Sequence, residues 1–286
     1  MKILVTGANG YIGSHVVGKM CDMGLDVIAT DLANDRIDPR AQFLYADIFH
    51  KKDWFDFFHA PEICLHLAWR NGFVHDSDDH ILDLSAHYAF LTDLIKGGVR
   101  HVACMGTMHE VGYWEGAVDE NTPCRPTTKY AIAKNTLRQS LEIFCRENNC
   151  IYQWLRGYYT YSDEMYGNSV FCKILQAVRD GKTVFPFTTG KNKYDFLHIG
   201  ELVSQIIACI LQTEVTGVIN CCSGTPVSLA EQVERFIAEH RLSIALQYGK
   251  YPDRPYDSPC LYGDRTKIDR ILRSCKTRNA MYGDRT

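Results

Sequence analysis

Apolar runs and helix-like segments alternate regularly through the first half of the chain. KILVTG is a short apolar run that ends in a glycine, IGSHVVGKMCDMG repeats its apolar positions with a helical period up to Gly24, and DVIATD returns to a strand pattern. QFLYADI, EICLHLAW and HVACMG are further strand candidates, separated by segments long enough for crossover helices. This alternation predicts an α/β fold with a doubly wound parallel sheet.

The second half carries similar signals at wider spacing. IYQWLRGYY, TVFPF and GVINCC indicate strands, and YDFLHIGELVSQIIACILQ indicates a strand followed by a helix. We therefore predict a larger domain over residues 1–155, with segments near 190–222 returning to it. Residues 156–189 and 223–286 are predicted to form a smaller C-terminal lobe.

Composition excludes several classes of function. The chain has 286 residues, a hydrophobic content of 46% and a formal net charge of −3, which are ordinary values for a globular protein. Without a Lys/Arg cluster or an apolar run near the roughly 20 residues that span a bilayer, neither a nucleic-acid partner nor a membrane is expected. The twelve cysteines include no CxxC pair, so we expect reduced structural thiols and no metal site. MKILVTGANG lacks signal-peptide features, which predicts a cytoplasmic protein with a small-molecule partner.

Three glycines stand between the first strand and the first helix. Gly7, Gly10 and Gly13 in TGANGYIG let the chain turn tightly and let a pyrophosphate reach N–H groups at the positive end of the helix. Asp31 ends the second strand, where a carboxylate accepts hydrogen bonds from ribose hydroxyls and repels a 2′-phosphate. The pattern predicts a Rossmann-type domain that binds NAD, and Arg36 nearby leaves NADP as the alternative.

A tyrosine and a lysine in TKYAIAK have the spacing of a proton-transfer pair. Tyr130 and Lys134 are four residues apart, so on a helix they share one face. A phenol has a reference pKa of about 10, and a neighbouring ammonium together with a positive nicotinamide ring favours its ionised form. We therefore expect Tyr130 to transfer the proton and Lys134 to supply charge.

These motifs, in this order, resemble those of the extended short-chain dehydrogenases/reductases of the nucleotide-sugar epimerase/dehydratase family, over nearly the whole chain. TGANGYIG is similar to TGxxGxxG, HLAW to HxAA and YAIAK to YxxxK, and Thr107 stands five residues before Gly112 as the family's Ser or Thr does. YDFLHIGEL resembles RDFVHVDDV, and RPYDSPCLYGDRTKIDRIL resembles the closing segment with its RP dipeptide and D-x-x-K. The resemblance implies a Rossmann-type doubly wound parallel sheet with a smaller C-terminal substrate-binding lobe.

The resemblance also implies roles for individual residues. Catalysis would fall to Thr107, Tyr130 and Lys134, with His109 as a further candidate. The implied coenzyme-binding residues are Gly7, Asn9, Gly10, Tyr11, Ile12, Gly13, Asp31, Asp47, Ile48, Leu67, Ala68, Tyr130 and Lys134. The implied substrate-binding residues are Thr107, Met108, His109, Tyr159 and Arg254, whose guanidinium suits a diphosphate. A nucleotide-sugar substrate and a homodimer are expected.

The stretch CMGTMHEVG crowds three polar side chains into four positions. In the family's 4,6-dehydratases, acidic residues directly follow the Thr, whereas here Met108 and His109 do, so a dehydratase is disfavoured. In the related GDP-fucose synthases an acid–base cysteine stands two residues beyond the hydroxyl. His109 is therefore expected either to transfer protons or only to line the pocket or bond the backbone, and Glu110 is expected to be a local structural or rim residue.

Two departures from the family's motifs concern the substrate. Tyr159 stands where an asparagine often holds the substrate, and Tyr194 replaces the arginine of RDF. Together with the missing dehydratase acids, they favour an NAD(P)-dependent reductase of the C4 ketone of an NDP-4-keto-6-deoxyhexose over an NDP-sugar 4-epimerase. A non-catalytic NAD(P)-sensing protein is the alternative from another class, and the intact Tyr130/Lys134 pair disfavours it.

Overall fold

Seven parallel strands form the central sheet of the part of the chain described by the computed structural model, residues 1–50, 53–254 and 256–282, with side chains as far as Cys275. From edge to edge they are β11 (Gly217–Cys221), β7 (Ile151–Gly157), β5 (His101–Thr107), β4 (Ile63–His66), β1 (Lys2–Thr6), β2 (Asp26–Thr30) and β3 (Gln42–Phe43). The inner strands are buried almost continuously, as strands covered on both faces must be. The predicted doubly wound α/β fold is confirmed.

Helices cover both faces of this sheet. One face packs against α1 (Tyr11–Asp22), α7 (Ile199–Ile210) and α9 (Thr266–Tyr282). The other packs against α2 (Trp54–Phe57), α4 (Leu84–Gly97) and α5 (Lys129–Glu147), with the short α3 (Asp79–Leu82) beside α5. No helix within the described ranges combines the length and hydropathy needed to cross a bilayer.

A smaller lobe contains a second sheet of short strands. Its order is β12 (Pro226–Ser228), β10 (Lys193–His198), β14 (Cys260–Gly263) and β6 (Gly116–Val118), and β8 (Tyr159–Tyr161) also pairs with β10. β9 (Val184–Pro186) and β13 (Ala245–Gln247) pair separately. Helices α6 (Val170–Arg179) and α8 (Leu229–Glu239) enclose an aromatic core that includes Phe171, Phe187, Phe196 and Phe236.

The packing departs from the predicted division of the chain in two places. β10 lies in the segment predicted to return to the central sheet, yet it pairs within the lobe, where its buried Asp195 accepts backbone hydrogen bonds from neighbouring strand ends. α9 lies in a segment predicted for the lobe, but Ile268 and Ile271 are buried in the core of the central sheet, because α9 covers α7 and β11. Pro255 of the RP dipeptide and positions 283–286 lie outside the described residues.

Candidate active site

The glycine loop TGANGYIG is packed so closely that two of its glycines cannot carry a side chain. Gly7 has a φ of +67°, and a Cβ there would lie 2.6 Å from the Ala68 nitrogen. A Cβ on Gly13 would lie 2.1 Å from the Gly7 carbonyl oxygen. Gly10 precedes α1 and has no side chain to cap it. The positive end of α1 is therefore left to an anion, as binding of a pyrophosphate requires.

Asp31 lies beside this loop, directly after β2. Its carboxylate accepts the backbone N–H groups of Asn9 at 2.9 Å and Leu32 at 2.7 Å. The Asn9 side chain in turn donates to Asp35 at 2.8 Å and accepts the backbone N–H of Arg36 at 2.8 Å. Because each carboxylate oxygen has a second lone pair, Asp31 can accept ribose hydroxyls while the loop holds it in place.

The other predicted coenzyme-binding residues follow the same edge of the sheet: Tyr11, Ile12, Asp47, Ile48, Leu67 and Ala68. The Ala68 N–H donates to the Thr6 hydroxyl at 3.3 Å, which ties the end of β4 to the end of β1. Asp47 accepts the Phe49 N–H at 3.0 Å and so fixes its own loop. The glycine loop, the uncapped N-terminus of α1 and the fixed carboxylate of Asp31 together suit the binding of a dinucleotide.

Glu110 and Thr107 have different roles at the end of β5. Glu110 is fully buried and accepts the Thr107 N–H at 2.8 Å and the Trp154 indole N–H at 2.9 Å. Guanidinium nitrogens of Arg156 and Arg138 lie 3.6 and 4.0 Å from its Oε2. Glu110 is therefore structural, as expected, because it fixes the 3₁₀ turn Met108–Val111 that follows Thr107.

The hydroxyl of Thr107 lies near enough to the phenol of Tyr130, in the first turn of α5, to lower the pKa of that phenol. Desolvation raises the pKa of Tyr130, the negative charge of Glu110 raises it further, and the Thr107 hydroxyl opposes both. In this state of the protein Tyr130 is therefore a protonated phenol at neutral pH.

Lys134 lies one turn further along α5 and is 4% exposed. Its Nζ donates to the Met105 carbonyl at 2.9 Å and stands 3.8 Å from the centre of the Trp69 ring, a cation–π geometry. Desolvation lowers its pKa to about 8. Trp69 is held in turn, since its indole N–H donates to His80 at 3.0 Å and its ring stacks on His87.

Two imidazoles border the Tyr130 phenol. The His75 ring stacks on Tyr130 with centroids 5.1 Å apart and planes at 14°, and the His109 ring lies 4.6 Å from His75. Burial lowers the pKa of His109 to about 3, with smaller contributions from His75 and the charge of Arg254. His109 is therefore a neutral ring that borders the catalytic candidates.

The predicted substrate-binding residues fall into two groups. His109 and Tyr159 face one another with centroids 6.4 Å apart, and Arg254 is near enough to lower the pKa of His109. Met108, in contrast, is buried in an apolar cluster with Val111. The structure brings Thr107 and His109 beside Tyr130, brings Tyr159 and Arg254 beside His109, and gives Met108 a packing role.

Tyr159 and Tyr194 share one carboxylate. Their hydroxyls donate to Asp257 Oδ2 at 3.4 and 3.0 Å, and their ring centroids are 4.0 Å apart. Burial raises the pKa of Asp257, and the charge of Arg254 counteracts this. The two positions that depart from the family's motifs are thus coupled to each other through Asp257.

No sequence motif predicts a role for His75 or a separate role for Trp69. His75 lies in a polar stretch with neither strand nor helix periodicity, and Trp69 is the last residue of HLAW. Their proximity to Tyr130 and Lys134 depends on long-range folding. A large aromatic residue where the HxAA pattern has a small one was the available signal.

A family model described as the NAD dependent epimerase/dehydratase family matches residues 3–222. The chain belongs to this family. The predicted resemblance is confirmed, and the protein is an NAD-dependent enzyme of the extended short-chain dehydrogenase/reductase type.

Individual relatives span most of the chain. The dTDP-6-deoxy-L-talose 4-dehydrogenase (NAD(+)) of Aggregatibacter actinomycetemcomitans is 42% identical over 273 residues, which cover 92% of this chain and 99% of that protein. A putative UDP-glucose 4-epimerase of Methanocaldococcus jannaschii is 26% identical over 246 residues, 80% of this chain and 79% of that protein. The solved UDP-glucose 4-epimerase of Thermotoga maritima with UDP-glucose is 24% identical, with a TM-score of 0.79 over 94% of this chain and 92% of that one. The last comparison shows a common fold.

Proposed function

We propose that the protein interconverts a hydroxyl and a ketone at C4 of a dTDP-6-deoxyhexose with NAD(H), and that it works in the direction of ketone reduction. The observation that carries this proposal is the 42% identity with a dTDP-6-deoxy-L-talose 4-dehydrogenase (NAD(+)) over 99% of that protein. Dehydrogenase and reductase are the two directions of one reaction. Met108 and His109, which stand where dehydratases carry acids, support simple C4 chemistry.

The site residues divide the chemistry between them. Tyr130 gives its proton to the C4 oxygen, Thr107 hydrogen-bonds the same oxygen, and the Lys134 ammonium stabilises the phenolate that remains. When bound, NADH supplies the hydride that the ketone carbon requires. Burial raises the pKa of Tyr130, so in the protein without coenzyme this phenol holds the proton that reduction requires.

The coenzyme would be held by the N-terminus of α1 and by Asp31, which favours NAD over NADP. The guanidinium of Arg36 stacks 3.5 Å over the Tyr166 ring and lies 3.8 Å from Glu164. Its buried Nη1 has no hydrogen-bond partner in the described part of the chain, so Arg36 leaves NADP as the alternative. We expect tighter binding of NADH than of NADPH, and a smaller difference in Asp31→Ala. Equal affinities in the unaltered protein would contradict this assignment.

A 4-epimerase is the second candidate, and the 26% identity with a putative UDP-glucose 4-epimerase favours it. An epimerase would return the hydride to the opposite face of the same sugar, without net consumption of NADH. The homodimer and the cytoplasmic location stay predictions.

The decisive experiment follows NADH absorbance with a dTDP-4-keto-6-deoxyhexose and identifies the product by NMR. We expect one NADH consumed per C4 alcohol formed. Tyr130→Phe should lower kcat by about 10²-fold or more while the coenzyme still binds, whereas Tyr248→Phe in the distant lobe should behave as the unaltered protein. Interconversion of UDP-hexoses without NADH consumption would favour the epimerase, and near-normal turnover by Tyr130→Phe would overturn the assigned chemistry.

A further inference from the structure

His75 occupies a fixed place beside the catalytic candidates, although no motif accounts for it. It lies in the segment 70–78, between β4 and α3. Two contacts attach this segment to the start of α5: the Tyr130 N–H donates to the His75 carbonyl at 2.9 Å, and Lys129 Nζ lies 2.6 Å from Asp78 Oδ1. The backbone that carries the imidazole is therefore anchored to the backbone that carries the phenol.

The His75 ring also borders the position of the reacting oxygen. It stacks on Tyr130 at 14°, and His109 meets it edge-on at 65°. In the proposed reaction, Tyr130 and Thr107 hold the C4 oxygen of the sugar. The two ring carbons next to C4 are bonded to it directly, so the substituents that they carry meet the surface formed by these two imidazole rings.

One nitrogen of His75 lacks a hydrogen-bond partner. Nδ1 is buried, and within the described part of the chain no group pairs with it. Burying a polar atom without a partner is destabilising, and such an atom in a native site calls for an explanation. Its position against Tyr130 provides one, because a bound substrate can supply the missing partner.

The chemistry of the ring indicates what that partner is. Burial lowers the pKa of His75, and the nearby charges of Arg254 and His80 lower it further, whereas the charge of Asp76 and the backbone of Gly72 oppose them. A neutral imidazole offers one donor and one acceptor nitrogen, which suits a hydroxyl better than a carboxylate or a phosphate. In a 6-deoxyhexose the C4 neighbours are C3, which carries a hydroxyl, and C5, which carries the methyl group. The hydroxyl within reach of the ring is therefore the one at C3.

We propose that His75 determines substrate specificity by hydrogen-bonding, through Nδ1, the sugar hydroxyl next to the reacting carbon. This inference rests on the proposed C4 reaction, because that reaction fixes which hydroxyl is adjacent. The protein then selects sugars that carry a C3 hydroxyl over their 3-deoxy forms. Tyr130 and Thr107 recognise the reacting oxygen itself, and His75 recognises its neighbour.

The test compares two sugars in two proteins. kcat/KM is measured for a dTDP-4-keto-6-deoxyhexose and for its 3-deoxy analogue, with the unaltered protein and with His75→Phe, which keeps the stacked ring and removes both nitrogens. We expect the unaltered protein to prefer the 3-hydroxy sugar by about 10-fold, as the loss of one hydrogen bond implies. His75→Phe should lower kcat/KM for the 3-hydroxy sugar only. His240→Phe, in the lobe, should preserve the preference.

Equilibrium binding provides a readout that does not depend on turnover. Calorimetry with the corresponding dTDP-6-deoxyhexoses uses a Tyr130→Phe background, which keeps a ring for His75 to stack on and blocks the reaction. Adding His75→Phe should weaken binding of the 3-hydroxy ligand by about 3- to 10-fold and leave the Kd of the 3-deoxy ligand unchanged. If His75→Phe weakens binding of both ligands equally, or changes the affinity of neither, the inference is overturned and His75 is a packing residue.

The two proposals fail differently. If the unaltered protein turns over neither sugar but the Tyr130→Phe background still prefers the 3-hydroxy ligand through His75, the C4 reaction is wrong and the hydroxyl contact stands. If the C4 ketone is reduced and His75→Phe leaves the sugar preference intact, the proposed function stands and the contact is wrong. If the background protein binds neither ligand, both proposals are overturned.

Discussion

Two charged side chains are buried beside the end of β5, and the protein treats them in opposite ways. Glu110 is 0% exposed, accepts hydrogen bonds from the Thr107 N–H and the Trp154 indole, and faces two guanidinium groups. Lys134 is 4% exposed and has one carbonyl partner and one indole face. Two guanidinium groups compensate the carboxylate. The ammonium forms no ion pair with a carboxylate in the described part of the chain, and the charge of Glu110 only partly offsets its burial, so we call it the uncompensated charge.

The difference separates structure from chemistry. A buried charge that is fully bonded and paired holds its surroundings in one arrangement. A buried charge with few partners is close to losing its proton, as the lowered pKa of Lys134 shows, and such groups concentrate at functional sites. Glu110 therefore builds the turn beneath Thr107, and Lys134 is available to respond to a change of charge on Tyr130.

The largest effect is expected from neutralising the compensated charge. Glu110→Gln should lower the free energy of unfolding by roughly 3–5 kcal/mol, because it leaves Arg156, which is 1% exposed, without its carboxylate. Urea denaturation measures the loss. Glu142 provides the matched control, since it pairs with the same Arg138 at 3.7 Å but is 48% exposed. Glu142→Gln should cost less than about 1 kcal/mol, and similar losses for both variants would show that Glu110 is not structurally special.

Removing the uncompensated charge of Lys134 should change the free energy of unfolding in the opposite direction. The pKa of Lys134 falls from 10.5 to about 8, so at neutral pH the unfolded chain holds this proton more tightly than the folded protein does. Lys134→Met should therefore raise the free energy of unfolding at pH 7 by roughly 1–3 kcal/mol while it lowers kcat by about 10²-fold. The gain should fade as the pH rises from about 8 towards 10.5.

The pH dependence of activity in the unaltered protein should also report the loss of the proton from Lys134. Ketone reduction should slow as the pH rises through about 8, because neutral Lys134 no longer stabilises the phenolate. Lys96→Met serves as the control, since this exposed lysine on α4 also approaches an aromatic ring, at 5.7 Å from Phe144. If Lys134→Met instead lowers the free energy of unfolding, the prediction for stability is contradicted, and the charge of Lys134 is better compensated than its partners indicate.

Buried rings that stay neutral form a third case between these two charges. Burial lowers the pKa values of His87 and His109 to about 3, below the ordinary 6.5, so the unfolded chain binds protons more readily. Their contribution to stability is complete above about pH 6.5 and falls as the pH drops towards 3, by about 1.4 kcal/mol per pH unit for each ring. In His87→Phe, the slope of the unfolding free energy against pH between pH 6 and pH 5 should be smaller by about 1.4 kcal/mol per pH unit, the contribution of one ring. An unchanged slope in His87→Phe would refute the assignment.

The comparison also shows why the sequence revealed the coenzyme side better than the substrate side. The turn at Gly7 and the carboxylate at Asp31 are local consequences of a strand that ends in a glycine loop and of the next strand's end. Short motifs record such features directly. Tyr130 and Lys134 share a helix face for the same local reason.

Substrate-side features depend on contacts that no local pattern encodes. Tyr159 reaches Asp257 across 98 positions of sequence, and His75 reaches Tyr130 from a segment without periodicity. The pairing of β10 within the lobe and the packing of α9 on the central sheet were missed for the same reason, because a strand or an amphipathic helix does not specify its partner. Coenzyme and substrate contacts of the individual site residues stay predictions.

The smallest effect concerns the indole that accompanies the uncompensated charge. A cation–π contact contributes about 0.5–2 kcal/mol to the charged form, so removing the ring should lower the pKa of Lys134 further below about 8. Trp69→Leu should therefore shift the basic limb of the pH–rate profile for ketone reduction by about 0.5–1 unit to lower pH. Trp69→Phe, which keeps an aromatic face but cannot donate to His80, should shift it less, and Phe144→Leu on the exposed Lys96 should not shift it at all. Because a variant that is merely unstable loses rate at every pH, only a displaced midpoint supports the contact. An unmoved midpoint in Trp69→Leu would mean that the Met105 carbonyl alone holds the ammonium.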